Sequence, residues 1–218
     1  MKRLCKINEK ISNSKFNKMS KALKTILIIV GIVIVLGAML VKPYNNMVQK
    51  DEEASKAWAN VENAYQRRLD LIPNLVKTVQ GAADYEKGTL TEVIEARAKA
   101  TSVQIDPNNL TEESIAKFQA AQDQLSSALS RLMVVVERYP ELKATEEFKS
   151  LMDALEGCEN RIAVERGKFN KTVNDYNQYI RRFPNNIIAG IFNFNTKGYF
   201  KASEGAENAP EVEFDFNK

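Results

Sequence analysis

Three observations predict an all-α protein in which one transmembrane helix precedes an up-and-down antiparallel four-helix bundle. An uncharged apolar run fills residues 25–41. Apolar residues recur every three or four positions from 45 to 183. Strand-like alternation is confined to 211–216.

The run at 25–41 reads TILIIVGIVIVLGAMLV. Seventeen residues are at the short end for a spanning helix, and Lys24 can snorkel to lengthen it. A soluble core helix would carry a polar stripe, and this run has none. A cleaved leader would have a shorter apolar stretch ending in a small-x-small site. Gly37-Ala38-Met39-Leu40-Val41-Lys42-Pro43 matches that poorly, and no cysteine follows to accept a lipid. The expectation is an anchor at 22–42 in the cell (inner) membrane.

Charge sets the orientation. Residues 1–24 hold eight bases against one acid, Glu9, for a net +7, whereas 42–218 hold 23 bases and 27 acids, for a net −4. By the positive-inside rule the basic arm at 1–24 is cytoplasmic, and the main domain faces the periplasm or exterior. A mildly acidic domain lacks the clustered bases that nucleic-acid binding requires. Cys5 and Cys158 then lie on opposite sides of the membrane and cannot pair within one chain. Cys158, on an apolar stripe, reads as a small buried hydrophobe.

Phe148, Leu151, Met152, Leu155, Cys158, Ile162, Phe169, Val173, Tyr176, Ile180 and Phe183 draw one face of a helix over 145–183, broken only around Glu165. Thr145 is its N-cap, Glu146 and Glu147 suit its first turn, and Pro184 stops it. A second helix spans 111–138, capped by Thr111, with a stripe of Ile115, Phe118, Leu125, Leu129, Leu132 and Val136, and ended by Pro140. The stretch 45–101 is helical apart from Pro73. A break there gives segments 45–72, 73–100 and 111–138 of 28 residues each, the equal rods of a bundle domain over 43–183. The alternative is one long bent helix packed by two others. Residues 184–218 form an apolar, aromatic tail, extended at 211–216.

The chemistry is chiefly defined by what is missing. The chain has no histidine, which removes histidine-activated nucleophiles, zinc-binding HExxH sites and di-iron ExxH patterns. No glycine-rich phosphate loop occurs, and Glu92/Glu95 and Glu156/Glu159 read as solvated faces. The expectation is no enzyme, no cofactor and no metal site. Asn170, Asn174 and Asn177 share one helix face and read as a hydrogen-bonding network that fixes register.

Trp58-Ala59-Asn60-Val61 is followed by Tyr65-Gln66-Arg67-Arg68-Leu69-Asp70-Leu71-Ile72-Pro73-Asn74-Leu75-Val76. Later come Glu159-Asn160-Arg161-Ile162-Ala163-Val164, Phe169-Asn170, Tyr176-Asn177 and Arg182-Phe183-Pro184-Asn185. Together these stretches, over roughly 43–200, resemble the LemA family. The resemblance implies a bacterial envelope protein with an N-terminal anchor and a helical ectodomain, and it supplies no catalytic residue. It also sets Arg67, Arg68 and Asp70 against Glu159, Asn160 and Arg161 as a candidate polar network across the bundle. Four antiparallel passes would return the chain to the bilayer near Phe183. Ile191, Phe192, Phe194, Tyr199 and Phe200, joined by Phe214 and Phe216, are therefore the candidate interface, toward lipid or a neighbouring subunit.

Two roles follow. One is a structural, scaffolding or interaction protein that contacts the lipid bilayer and either itself, as a homo-oligomer, or another membrane protein. The other is an accessory or regulatory subunit of a membrane enzyme or protease, or a ligand-sensing ectodomain. The topology is directly testable. A cysteine replacing Ser203 should react with an impermeant thiol reagent added outside cells, and one replacing Ser12 should not; the reverse pattern overturns the orientation.

Overall fold

The computed structural model describes residues 21–82 and 87–201. Among them are six helices and no strand: α1 (Lys21–Ala82), α2 (Lys87–Ser102), α3 (Glu112–Val136), α4 (Pro140–Lys143), α5 (Glu146–Arg181) and α6 (Asn185–Ile191). The chain divides into two compact units, Met1–Asn46 and Met47–Lys218.

In the first unit the described residues are all helical, and Ile26, Leu27, Ile28, Ile29, Val30, Ile32 and Ile34 are exposed. Counted over the described residues, no helix is long and apolar enough to cross a membrane. Of the expected span at 22–42, the side chains at 22, 33, 35, 36 and 39 lie outside the described set, as does the arm at 1–20.

The second unit is built on the part of α1 that begins at Met47. Its apolar positions Ala54, Trp58, Val61, Tyr65, Leu69, Ile72, Val76 and Val79 follow the helical period and are buried. Arg97 of α2 reaches Leu69 of α1, so α2 runs back alongside α1. Phe118 meets Trp58 and Tyr65 while Gln122 and Ser126 meet Arg68, so α3 runs parallel to α1. Glu159 meets Arg68 and Phe169 meets Trp58, so α5 runs antiparallel to it. One apolar cluster draws Ile72 and Val79 from α1, Val93 from α2, Leu132 from α3 and Leu155 from α5. A second surrounds Trp58, and a third joins Met47 to Tyr176, Ile180, Ile188 and Ala189.

Helix starts follow the capping chemistry of the sequence. Thr111 Oγ1 accepts from Ser114 N at 3.1 Å, and Thr145 Oγ1 accepts from Phe148 N at 3.3 Å. Pro140 does not merely end α3, which stops at Val136; it opens the short α4. In the stripe of α5, Glu165 is buried and tied to Lys168 at 2.9 Å.

The expected break at Pro73 does not occur: α1 continues without interruption to Ala82, and α2 has 16 residues, not 28. The reason is local. Proline offers no N–H to the carbonyl four residues back, leaving Leu69 O without its helical donor. Arg97 Nε donates to that oxygen at 2.9 Å. The donor that Pro73 lacks comes from a side chain 24 residues away, on the helix packed alongside.

This repair predicts a coupled mutational response, read by urea unfolding of the full chain in detergent. Arg97→Ala should cost about 1–3 kcal/mol, the usual penalty for a stranded carbonyl. Pro73→Ala restores the helical N–H, so the same Arg97→Ala change should cost clearly less in that background. Equal costs in both backgrounds would show that the repair is not what carries α1 through Pro73.

Candidate functional site

Two polar constructions stand out within the second unit. The first is built on Arg68, whose side chain is sealed between α1, α3 and α5 at 1 % exposure. Its Nη1 donates to Glu159 Oε1 at 2.7 Å and to Ser126 Oγ at 2.9 Å, and its Nη2 donates to Gln122 Oε1 at 2.6 Å. The guanidinium also lies over the Tyr65 ring, 5.1 Å from its centroid. Only Nε is left without an acceptor. A buried cation is tolerable when its donors are used and a carboxylate balances it; both terminal nitrogens of Arg68 donate, and Glu159 balances the charge. Burial raises the Tyr65 phenol above its ordinary range, partly offset by Arg166 and Arg68.

Of the network expected from sequence, the structure brings Arg68 and Glu159 together. Asp70 instead accepts from Gln66 at 2.7 Å on the surface. Arg67, Asn160 and Arg161 line an open groove of about 660 Å³ between α1 and α5, floored by Leu71, Gly157 and Cys158. Cys158 is therefore half-buried, not fully enclosed.

The second construction is a strap. Beyond α6 the chain runs without regular structure to Lys201, held by side-chain amides. Asn177 Nδ2 donates to Lys197 O while its Oδ1 accepts from Lys197 N, both at 2.9 Å. Asn170 does the same to Phe200, again at 2.9 Å in both directions. Gln119 of α3 repeats the pattern on Lys201 at 3.2 Å. An amide carries one donor group and one acceptor, which is what an isolated extended residue needs. The register is geometric. Seven helical residues rise about 10.5 Å and three extended ones span about 10 Å, so positions 170 and 177 match 200 and 197. Asn174, on the same stretch of helix, stays exposed.

Further bonds fasten the strap. Gly198 N donates to Leu110 O at 2.8 Å, Tyr176 Oη donates to Asn195 O at 3.0 Å, and Lys197 pairs with Asp51 at 2.9 Å. A Cβ on Gly198 would fall 2.5 Å from Glu112 Cα, so only glycine fits there. Phe200 closes the strap by entering the Trp58 cluster. Its ring stacks on Trp58 at 5.9 Å and meets Phe169 edge-on at 5.6 Å, with Arg166 4.8 Å above it. The Trp58 indole N–H is buried and makes no well-formed hydrogen bond. Its attraction to Glu62 only partly offsets the burial that raises that carboxyl.

The candidate interface therefore separates. Phe200 is 4 % exposed and belongs to the chain's own core, which corrects its assignment to a contact surface. Phe194 is half-buried against the Met47 cluster, and Tyr199 accepts from Asn177 through its hydroxyl. Ile191 and Phe192 remain exposed. Phe214 and Phe216, with the expected strand at 211–216, lie outside the described residues. The strap's other holders, Gln119, Arg166 and Gly198, had no signal in the sequence; the spacing of Asn170 and Asn177 did.

Phe200→Ala should destabilise the second unit by about 3–5 kcal/mol, as an aromatic core deletion. Asn177→Ala, which strands both polar groups of Lys197, should cost about 2–4 kcal/mol. Gly198→Ala should cost about 1–3 kcal/mol by overpacking. Urea unfolding measures all three, and losses below 0.5 kcal/mol throughout, on the order of an ordinary surface change, would show a strap of no structural weight.

Tyr176 gives the strap a pH dependence. Burial raises its phenol well above the ordinary 10.0, with Asp51 adding to the shift. The unfolded phenol ionises first, so stability is level below about pH 10 and falls as pH rises from there toward the folded value. Thermal melts from pH 8 to 11 should show this alkaline loss, and Tyr176→Phe should reduce it.

The sequence matches the LemA family over residues 57–214. It is 29 % identical over 181 residues to magnetosome protein MamQ 2 of Paramagnetospirillum magneticum, covering 75 % of this chain and 66 % of that one. Magnetosome protein MamQ of Magnetospirillum gryphiswaldense is 29 % identical over 178 residues, covering 74 % of this chain and 65 % of that one. Protein LemA of Metamycoplasma hominis is 22 % identical over 160 residues, covering 73 % and 69 %. The chain thus spans slightly under two thirds of the MamQ proteins' length. With more than half of its residues inside the family match, and with the Trp58, Arg68, Asn170 and Asn177 constructions all falling within it, the chain belongs to the LemA family.

Proposed function

We propose that this chain is a membrane-anchored structural or scaffolding protein of the bacterial envelope. It works by holding contacts, not by turning over a substrate. The observation that carries the reading is the outward-facing apolar run of α1. Ile26, Ile28, Ile29, Ile32, Ile34 and Val41 are all exposed, and water is a poor solvent for such a surface. A bilayer covers it, with the basic arm on the cytoplasmic side and the second unit, read as an up-and-down helical bundle, outside.

Two further features support a structural role. Polar groups of the second unit are spent on internal ties: Arg68 on Glu159, Asn170 and Asn177 on the strap. Its relatives include magnetosome proteins, named for a cellular structure and not for a reaction. The second reading, an accessory or ligand-sensing subunit, is favoured by the α1–α5 groove bearing Arg67 and Arg161.

Alkaline carbonate extraction tests the anchor. The full chain should stay in the membrane pellet, and a chain lacking 22–42 should be released; release of the full chain overturns the reading. Native mass measurement in mild detergent separates the two roles. A homo-oligomer supports scaffolding, and a stoichiometric complex with another membrane protein supports the accessory subunit.

A further inference from the structure

Helix α6 is amphipathic in the wrong sense for a surface helix in water. Ile188 and Ala189 face inward to the Met47 cluster, but the outer face carries Ile187 and Ile191 at 55 % and 65 % exposure. Gly190 lies between them with nothing within 4 Å of where a Cβ would stand, so this face is bare. Just before the helix, Phe183 is 81 % exposed, and Phe192 is exposed just after it. A surface position facing water is normally polar, and four large apolar residues within ten positions are a concentration that calls for a cover.

The charge around the patch identifies the cover. Arg181 and Arg182 immediately precede Phe183, and both are exposed. From residue 176 to 201 the sequence contains no acidic residue at all. Of the carboxylates at the start of α1 in this unit, Asp51 is paired with Lys197, while Glu52 and Glu53 are exposed and belong to a different element from the patch. Exposed aromatic and branched aliphatic side chains beside two arginines are the composition of an interfacial membrane contact. The apolar groups enter the acyl boundary and the guanidinium groups meet lipid phosphates.

We infer that Arg181, Arg182, Phe183, Ile187, Ile191 and Phe192 dock the second unit onto the surface of an anionic bilayer. This rests on the proposed anchoring, which places the chain at a membrane, and adds a second, peripheral contact to it. The anchor alone would leave the domain free to swing. A lipid-facing α6 fixes which side of the domain looks outward.

The test uses the full chain in lipid nanodiscs, with Cys5→Ser and Cys158→Ser and one reporter cysteine, Gly190→Cys, carrying an environment-sensitive fluorophore. Ser127→Cys, exposed on α3, is the control site. Discs contain phosphatidylcholine alone or with phosphatidylglycerol, and lipids brominated on the acyl chain serve as quencher. At the Gly190 site the expected result is at least twofold quenching in anionic discs, less in neutral ones, and none at the Ser127 site. Arg181→Glu with Arg182→Glu should remove half or more of the quenching while the helical melting curve stays unchanged. An unquenched Gly190 site in chains that do enter anionic discs overturns the inference and leaves the anchoring intact. So does efficient chain-to-chain crosslinking at that site without quenching, which would assign the face to a second copy. A chain that does not enter discs at all removes both readings.

Discussion

The carbonyl of Leu69 is where the architecture is decided. Pro73 deprives it of its helical donor, and a helix with an unpaired carbonyl turned toward a neighbouring helix is a natural place to break. Arg97 supplies the donor. With that bond α1 continues unbroken past Pro73 to Ala82, and the longer helices of the second unit take their positions along this stretch. Helix α2 is fastened to α1 by the bond itself, α3 by Arg68 and Trp58, and α5 by Glu159 and Phe169. The bond also explains how α2 can be short. Sixteen residues make a marginal helix alone, and an arginine anchored into its neighbour's backbone supports it.

The strap obeys the same accounting of backbone groups by other means. An extended segment lying on helices has no strand to pair with, and every helical N–H and C=O beneath it is already used. Side-chain amides are the remaining source of a paired donor and acceptor, which is why Asn170, Asn177 and Gln119 occupy the positions they do. Those amides read backbone, apart from the one bond that Asn177 gives to the Tyr199 hydroxyl. Sequence specificity in the strap therefore comes from its side chains: the space that admits Gly198, the aromatic socket that admits Phe200, and the Lys197–Asp51 pair.

What the sequence disclosed, and what it concealed, divides along the range of the interactions. Thr111 and Thr145 were legible as caps because a cap is a local contract between a hydroxyl and an N–H three residues on. The stripes of α3 and α5 were legible because burial repeats at the helical period. Arg68 and Glu159 were legible as partners only through the family's matched motifs. Pro73 misled because proline's cost is local whereas its remedy is 24 residues distant, and the equal 28-residue lengths that favoured a break were coincidence. The tail aromatics were indistinguishable in sequence. Phe200 and Phe192 sit eight residues apart in similar surroundings, and only the socket formed by three helices assigns one to the core and leaves the other outside.

The strap and the exposed face of α6 are mechanically one object. A seven-residue helix has almost no intrinsic stability, so α6 holds its shape only through what grips it. On one side, Asn185 Nδ2 donates to Tyr179 O at 3.1 Å, and Ile188 and Ala189 pack on Tyr176, Ile180 and Met47. On the other, Phe194 N donates to Ala189 O at 2.9 Å, and the chain passes at once to Asn195, which Tyr176 holds, and Lys197, which Asn177 holds. Tyr176 thus touches both the inner face of α6 and the first residue of the strap. Loosening the strap at Phe200 would release the residues that close α6 from behind. The outward orientation of Ile187 and Ile191 therefore depends on a phenylalanine buried in a different core cluster, nine residues beyond Ile191. In this fold the exposed face of α6 is presented by the core, and the stretch between Ile191 and Phe200 is the linkage that transmits the grip.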